Sequence, residues 1–276
     1  MPEPLKILIS IIGDPQHYRC AMYHYSDAEN KEVRRMGKFS SSILFDVERP
    51  DKSILIGQYT LAKRGSNFED LCKETVKALC EGVDDVGRFT DVIIAPGVAH
   101  VIDKSSRKEF NYRGDIFNFY AYVLYRLARF FEGLSGDVEV VLDLTHGINY
   151  MGYLTLRAVN LVLDVYSMVN NVTLKIVNSD PYPQGWGDQS PPPELNINVV
   201  LEEAITPTLN YPASSRTELL HPYSGSDEEK ARLGKELRAS LSEDMRECVR
   251  NQEYFINAIN RGALLAAYTF ADDFGK

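Results

Sequence analysis

Val138-Glu139-Val140-Val141-Leu142-Asp143-Leu144-Thr145-His146-Gly147 decides how the rest of the chain is read. Four of its first six residues are apolar, three of them β-branched valines, as in a strand buried on both faces, and the run ends at an acid followed by a turn. An apolar helical pattern from about Ile148 to Val165 follows without pause. A strand passing directly through a tight turn into a helix is half of a βαβ unit, and it predicts a parallel sheet.

Upstream, Lys6-Ile7-Leu8-Ile9-Ser10-Ile11-Ile12 reads as a second core strand, stopped by Gly13-Asp14-Pro15. Strands are expected at Ser53 to Tyr59 and at Asp91 to Ala95, the latter ending at Pro96-Gly97, with a helix from Asn67 to Glu81 between them. Ile116, Phe119, Val123, Leu127 and Phe130 recur every three or four residues, placing an amphipathic helix over Asp115 to Glu132. Downstream of the opening stretch, Thr173 to Val177 reads as a strand and Glu194 to Leu201 as an edge strand. Residues 17 to 35 leave a hairpin and an irregular loop equally open, leading to a helix near Ser40 to Val47. The fold class is therefore α/β, Rossmann-like, a mostly parallel sheet with helices on both faces, plus a helical C-terminal segment.

The expected division is residues 1–205 as the α/β domain, 206–225 as a linker and 226–276 as the helical segment. Proline-rich sequence around Pro207 and Pro212 marks the margin, and charged helix formers begin near Ser226, with Ser226 or Asp227 as N-cap. The apolar run Ala263 to Phe270 needs packing partners that so short a segment does not obviously supply.

With 276 residues, 44% hydrophobic and 25% charged, the chain has the composition of a soluble globular protein. Neither a membrane-spanning run nor a signal peptide is recognisable, so a cytoplasmic location is expected. Cys20, Cys72, Cys80 and Cys248 lack metal-ligand spacing and are expected to be free, partly buried thiols; no metal and no cofactor are expected. A net charge of −9 argues against a broad surface for duplex nucleic acid, which draws its affinity from many Lys and Arg contacts. A small anionic ligand held by backbone N–H groups remains compatible with that charge.

Ligands of open parallel sheets bind beyond the carboxyl ends of the strands, which is where Asp143 to Asn149 lie. Gly147 permits a tight turn, while Thr145, His146 and Asn149 can donate to phosphate or ribose oxygens. Asp143 is expected to orient the turn by accepting backbone N–H bonds. Ser10, Gly13 and Asp14 after the first strand, and Gly97 and His100 after the third, are further candidates for lining the same crevice. Turn formation and helix capping account for each of these residues as well. A Gly-x-Gly-x-x-Gly turn after the first strand and a phosphate loop are both absent, which counts against a conventional nucleotide-binding Rossmann enzyme.

Asp143-Leu144-Thr145-His146-Gly147 resembles the Asp-x-Thr-His-Gly signature of CRISPR-associated proteins of the Csx type, which carry a CARF sensor domain. The resemblance spans residues 5 to 205 in element order. It implies a homodimer or higher oligomer holding one cyclic oligoadenylate, usually the tetra-adenylate, at a two-fold axis, and carries over to Asp143, Thr145, His146 and Gly147. It further implies antiviral signalling to a HEPN endoribonuclease domain that cleaves single-stranded RNA through an Arg-x4-His motif. Arg216 and His221 have that spacing but lie between Pro212 and Pro222, so chance spacing is expected. Residues 226 to 276 are too few for a whole HEPN bundle. No catalytic residue is therefore assigned; slow cleavage of the bound ring by the sensor itself, with His146 as the suspect, is the alternative.

Overall fold

In the computed structural model the described residues are 3–26, 32–62, 65, 67–102, 109–186, 190–207, 226–240, 242–243 and 247. The chain divides into two compact units, Met1–Thr206 and Pro207–Lys276. In the first unit the elements run β1 (Leu5–Ile11), β2 (Ala21–Ser26), β3 (Glu32–Gly37), α1 (Ser41–Glu48), β4 (Lys52–Gln58), α2 (Phe68–Gly82) and β5 (Asp91–Ala95). They continue with β6 (Ala99–Ile102), β7 (Glu109–Tyr112), α3 (Ile116–Glu132), β8 (Val138–Asp143), α4 (Asn149–Tyr166), β9 (Val172–Ser179) and β10 (Glu194–Ala204).

Eight strands form one sheet in the order β3-β2-β10-β9-β8-β1-β4-β5, and β6 with β7 makes a separate two-stranded ribbon. The stretch β9-β8-β1-β4-β5 is parallel throughout. From β1 the chain first builds outward through β4 and β5, then returns to place β8 and β9 on the other side. The order thus reverses between β1 and β8, and a crevice opens there at the strands' carboxyl ends.

Alternation along β1 feeds two cores. Ile7, Ile9 and Ile11 pack toward Phe119, Val123 and Leu127 of α3 and Met151, Leu154 and Ala158 of α4. Leu8 and Ile12 point the other way, into a cluster with Phe39, Ile43 and Leu44 around α1 and Leu79 of α2. Both faces of the parallel sheet are therefore covered, which is why its strands read as nearly unbroken apolar runs. Along α4 the inner stripe is buried while Tyr153 and Val165 remain exposed, so the helix is not enclosed on all sides.

Three expectations are corrected or resolved. Glu194 to Leu201 is not an edge strand: β10 lies inside the sheet, antiparallel to β9 and paired through Glu194 to Asn196 with Met22 to His24 of β2. The reason lies in the stretch left open between hairpin and loop: β2 and β3 pair antiparallel and extend the sheet beyond β10. Cys20 and Cys80 are exposed rather than partly buried, and only Cys72 is half-covered; Cys248 lies outside the described residues.

In the second unit α5 spans Asp227–Ser240. Ser226 caps it, its hydroxyl accepting the Glu229 N–H at 3.3 Å while Glu229 Oε2 accepts the Ser226 N–H at 3.1 Å. That reciprocal pair is a capping box. Arg216, His221 and the run Ala263 to Phe270 lie outside the described residues. Among the described residues no helix is long and apolar enough to cross a membrane.

A buried charged contact joins α1 to the sheet. Lys175 Nζ of β9 sits 3.3 Å from Glu48 Oε1, and both side chains are nearly enclosed. The Tyr25 hydroxyl donates to the same oxygen at 2.5 Å. Removing one member of such a pair strands the other charge. Lys175→Met is expected to lower the unfolding free energy by about 3 kcal/mol in urea denaturation. Adding Glu48→Gln should restore most of that loss, since Gln keeps an acceptor for Tyr25 without the charge.

Candidate functional site

The turn after β8 is built around one carboxylate. Asp143 is 1% exposed, and its Oδ1 accepts the Thr145 N–H at 3.0 Å. Its Oδ2 accepts from the Ser40 hydroxyl at 2.7 Å, and the Ser41 hydroxyl bridges the same oxygen at 2.9 Å and Ser10 Oγ at 2.8 Å. A carboxylate removed from water needs such donors to offset its lost hydration. They come from the turn itself and from the start of α1, and Ser10 of β1 joins through the Ser41 hydroxyl, so the network around Asp143 ties three segments together. Ser10 and Asp143 are thus buried in the network that supports the turn, and neither is among the residues lining the two cavities that flank it.

Gly147 has φ +141°, and a Cβ there would stand 2.8 Å from Ile11 Cδ1. Gly13 meets it from the β1 loop, where a Cβ would lie 3.4 Å from the Gly147 backbone. Two glycines let the two loops close on each other over the β1/β8 switch point. The Gly13 N–H is donated to the Tyr18 hydroxyl at 2.7 Å, folding the β1 loop back on itself. Asp14 caps the short turn that follows, accepting the Gln16 N–H at 3.0 Å and pairing with His17 at 3.1 Å.

His146 is a packed ring. Its Nε2 accepts the Ser40 N–H at 3.1 Å, and its centroid lies 4.4 Å from that of Tyr18 and 5.0 Å from that of Phe39. Burial lowers its pKa from the ordinary 6.5 to about 4, against the opposing pull of the Asp143 charge. The ring is therefore neutral at pH 7, with its proton on Nδ1 because Nε2 is accepting. Thr145 Oγ1 accepts the Ser179 N–H at 3.0 Å and keeps its own hydrogen to donate. Both side chains line a cavity of about 500 Å³, together with Arg19, Lys38 and Tyr182.

A second cavity, of about 520 Å³, lies across the Gly13 loop and includes Gly13, Asp14, Gln58, Thr60, Tyr112 and Ile148 in its walls. His17 lines both cavities. Gly97 abuts this region: a Cβ there would overlap Gln58 Oε1. His100 sits on β6 with its Nδ1 2.8 Å from Asn111 Oδ1 and lines neither cavity. Asn149 is the first residue of α4, and its side chain lies outside the described residues. Among the described residues no cluster of His, Cys, Asp and Glu could hold a metal ion.

Sequence reasoning did not single out Ser40, Ser41, Tyr18, Phe39 or Gln58. Ser40-Ser41-Ser42 at the start of α1 is the available signal, since three consecutive hydroxyls at a helix start exceed what one cap requires.

A doubly wound α/β domain with its crevice at the β1/β8 turn is a ligand-site architecture whose specificity resides in its loops. Residues 7–181 match the family model described as CRISPR system endoribonuclease Csx1, CARF domain, and the chain belongs to that family. It is 35% identical over 181 residues to CRISPR system endoribonuclease Csx1 of Methanocaldococcus jannaschii, a match covering 64% of this chain. The match covers 37% of that relative's length. Among solved structures it is similar to Enterococcus italicus Csm6 bound to cyclic hexa-2′-fluoro-hexa-dAMP, at 13% identity and a TM-score of 0.35. That alignment covers 94% of this chain and 56% of Csm6.

Two outcomes test this geometry. Gly147→Ala is expected to lower the unfolding free energy by about 2 kcal/mol, from the positive φ and the collision with Ile11. The His146 pKa is depressed in the folded state, so the unfolded chain binds the extra proton first as pH falls. The stability His146 contributes is present above pH 6.5 and is lost as pH falls through about 4. It amounts to at most about 3 kcal/mol. Urea midpoints between pH 7 and 4 should fall more steeply in wild type than in His146→Asn; parallel curves would contradict the buried neutral ring.

Proposed function

We propose that the first unit is a sensor for cyclic oligoadenylate, with the tetra-adenylate as the preferred ring, in CRISPR-linked antiviral defence. In this reading two copies of the chain form a homodimer in the cytoplasm and hold one ring across their two-fold axis. Ring binding then activates a HEPN ribonuclease that cleaves single-stranded RNA. Membership of the Csx1 CARF family supports the signalling role, and the relative's name supports a ribonuclease as the output.

The observation that carries the reading is the strand-end turn with its cationic rim. In a chain of net charge −9, Thr145 and His146 share a cavity with Arg19 and Lys38. The Thr145 hydroxyl and the His146 Nδ1–H are donors suited to phosphate or ribose oxygens, and the two cations supply the opposite charge locally. The effect on an effector follows if the ring binds one dimer arrangement more tightly than another, because only differential affinity shifts an equilibrium. Cleavage of the ring by His146 gains no support from this geometry, since its Nε2 is occupied by Ser40 and its basicity is low.

Isothermal titration of the protein with cyclic tetra-adenylate against its linear counterpart tests the reading. Preference for the cycle is expected, with Lys38→Ala weakening it about tenfold and flattening its salt dependence. Equal binding of the two forms, or none, would remove the sensor assignment.

A further inference from the structure

The cavity on the β4 side of the Gly13 loop is lined by a residue whose buried amide donor lacks a partner among the described residues. Gln58 ends β4 and is 3% exposed. Its Oε1 accepts the Tyr150 hydroxyl at 2.9 Å, while its Nε2 has no partner. Five buried side-chain nitrogen or oxygen atoms lack a partner among the described residues, and Gln58 Nε2 is the one whose residue lines this cavity. An unmade hydrogen bond in the interior is costly and persists where something else completes it.

The surroundings indicate what would complete it. Leu61, Val101 and Phe110 give the walls an apolar character, and the Tyr112 ring stands among them. Tyr112 is fixed in place, its hydroxyl donating to the Ala62 carbonyl and its ring 5.4 Å from that of Tyr59. A pinned aromatic ring, apolar walls and one carboxamide are the groups that suit a nucleobase, which stacks on its face and is read at its edge. The carboxamide is anchored: Gly97 leaves room for Oε1, and Tyr150 holds that oxygen by one lone pair. It therefore offers a donor, Nε2–H, beside an acceptor lone pair. Adenine presents the complement, an N6–H donor beside the N7 acceptor, whereas hypoxanthine has two acceptors, O6 and N7, on that edge.

We propose that this cavity takes the base of an adenine nucleotide and that the Gln58 carboxamide is the group that selects it. The proposal deepens the cyclic-oligoadenylate reading and rests on it for the identity of the natural ligand. On that arrangement the two cavities divide the work: the base seats beside Gln58, and the phosphates lie toward the Gly13 and Gly147 loops and the cations of the neighbouring cavity.

The test uses the full chain with its glutamine side-chain amides labelled with nitrogen-15, titrated with adenosine 5′-monophosphate and inosine 5′-monophosphate. The Gln58 amide signal, identified by its loss in Gln58→Met, is expected to shift saturably with the adenine nucleotide. Binding of the inosine nucleotide should be roughly tenfold weaker. Gln58→Met, close in shape, should weaken the adenine nucleotide about tenfold and erase the preference, and a Gln58→Leu variant should behave alike. A silent Gln58 amide, or an unchanged preference in both variants, overturns the proposal. Cyclic tetra-adenylate is titrated in parallel to separate the two readings. If the mononucleotide engages Gln58 and the ring does not bind, the base site stands and the ring assignment fails. If the ring binds while Gln58 stays silent, the base site is overturned and the ring assignment stands.

Discussion

Asp143 is a buried carboxylate at the end of a central strand, and the order of the crevice follows from how its charge is satisfied. One oxygen holds the Thr145 amide and thereby fixes the turn; the other gathers the hydroxyls of Ser40 and Ser41 at the start of α1. Because α1 is brought to the strand end in this way, the Ser40 N–H is in position to reach His146 Nε2. Phe39, the residue before Ser40, forms one side of the His146 pocket and Tyr18 another. A neutral histidine, a glycine at positive φ and a loop folded back on Tyr18 are therefore linked to one desolvated acid. Such a network is rigid when every member is paired and fails collectively when one is lost.

The same arrangement reconciles an acidic chain with an anionic ligand. Net charge governs long-range encounter, whereas the site is defined by groups within a few ångströms of the ligand. Asp143 spends its charge inward on three donors, leaving Thr145 and His146 with hydrogens to give. Arg19 and Lys38 stand on the same cavity as that pair, and the Asp180 carboxylate there is occupied by Asn196 and Asn198.

Much of the parallel core was legible because its signals are local. β1, β4, β5, β8 and β9 are short apolar runs ended by turn residues, and α2 and α3 announce themselves by period. What escaped depends on pairing between distant segments. The paired strands β2 and β3 are rich in polar residues and tyrosines, and nothing local says that they extend the sheet beyond β10; hence β10 looks like an edge in the sequence. The ribbon of β6 and β7 has four residues in each strand, too few for alternation to register. At the site, Gly147 and Asp143 could be placed because a turn at a strand end needs them. Ser40, Ser41 and Phe39 lie more than a hundred residues away in the sequence and reach the turn only through the packing of α1. Gln58 looks like ordinary strand in the sequence, because the lack of a partner for its amide among the described residues is visible only once its neighbours are in place.

The central claim is that the turn from Asp143 to Gly147 is where the ring is held. The most direct measurement is a backbone and histidine nitrogen-15 titration of the intact chain with cyclic tetra-adenylate, followed at the Thr145 and Gly147 amides and at His146 Nδ1. The account predicts saturable shifts at all three that reach completion at one ring per two chains. Saturation with these signals unmoved, while shifts gather elsewhere on the protein, would contradict it.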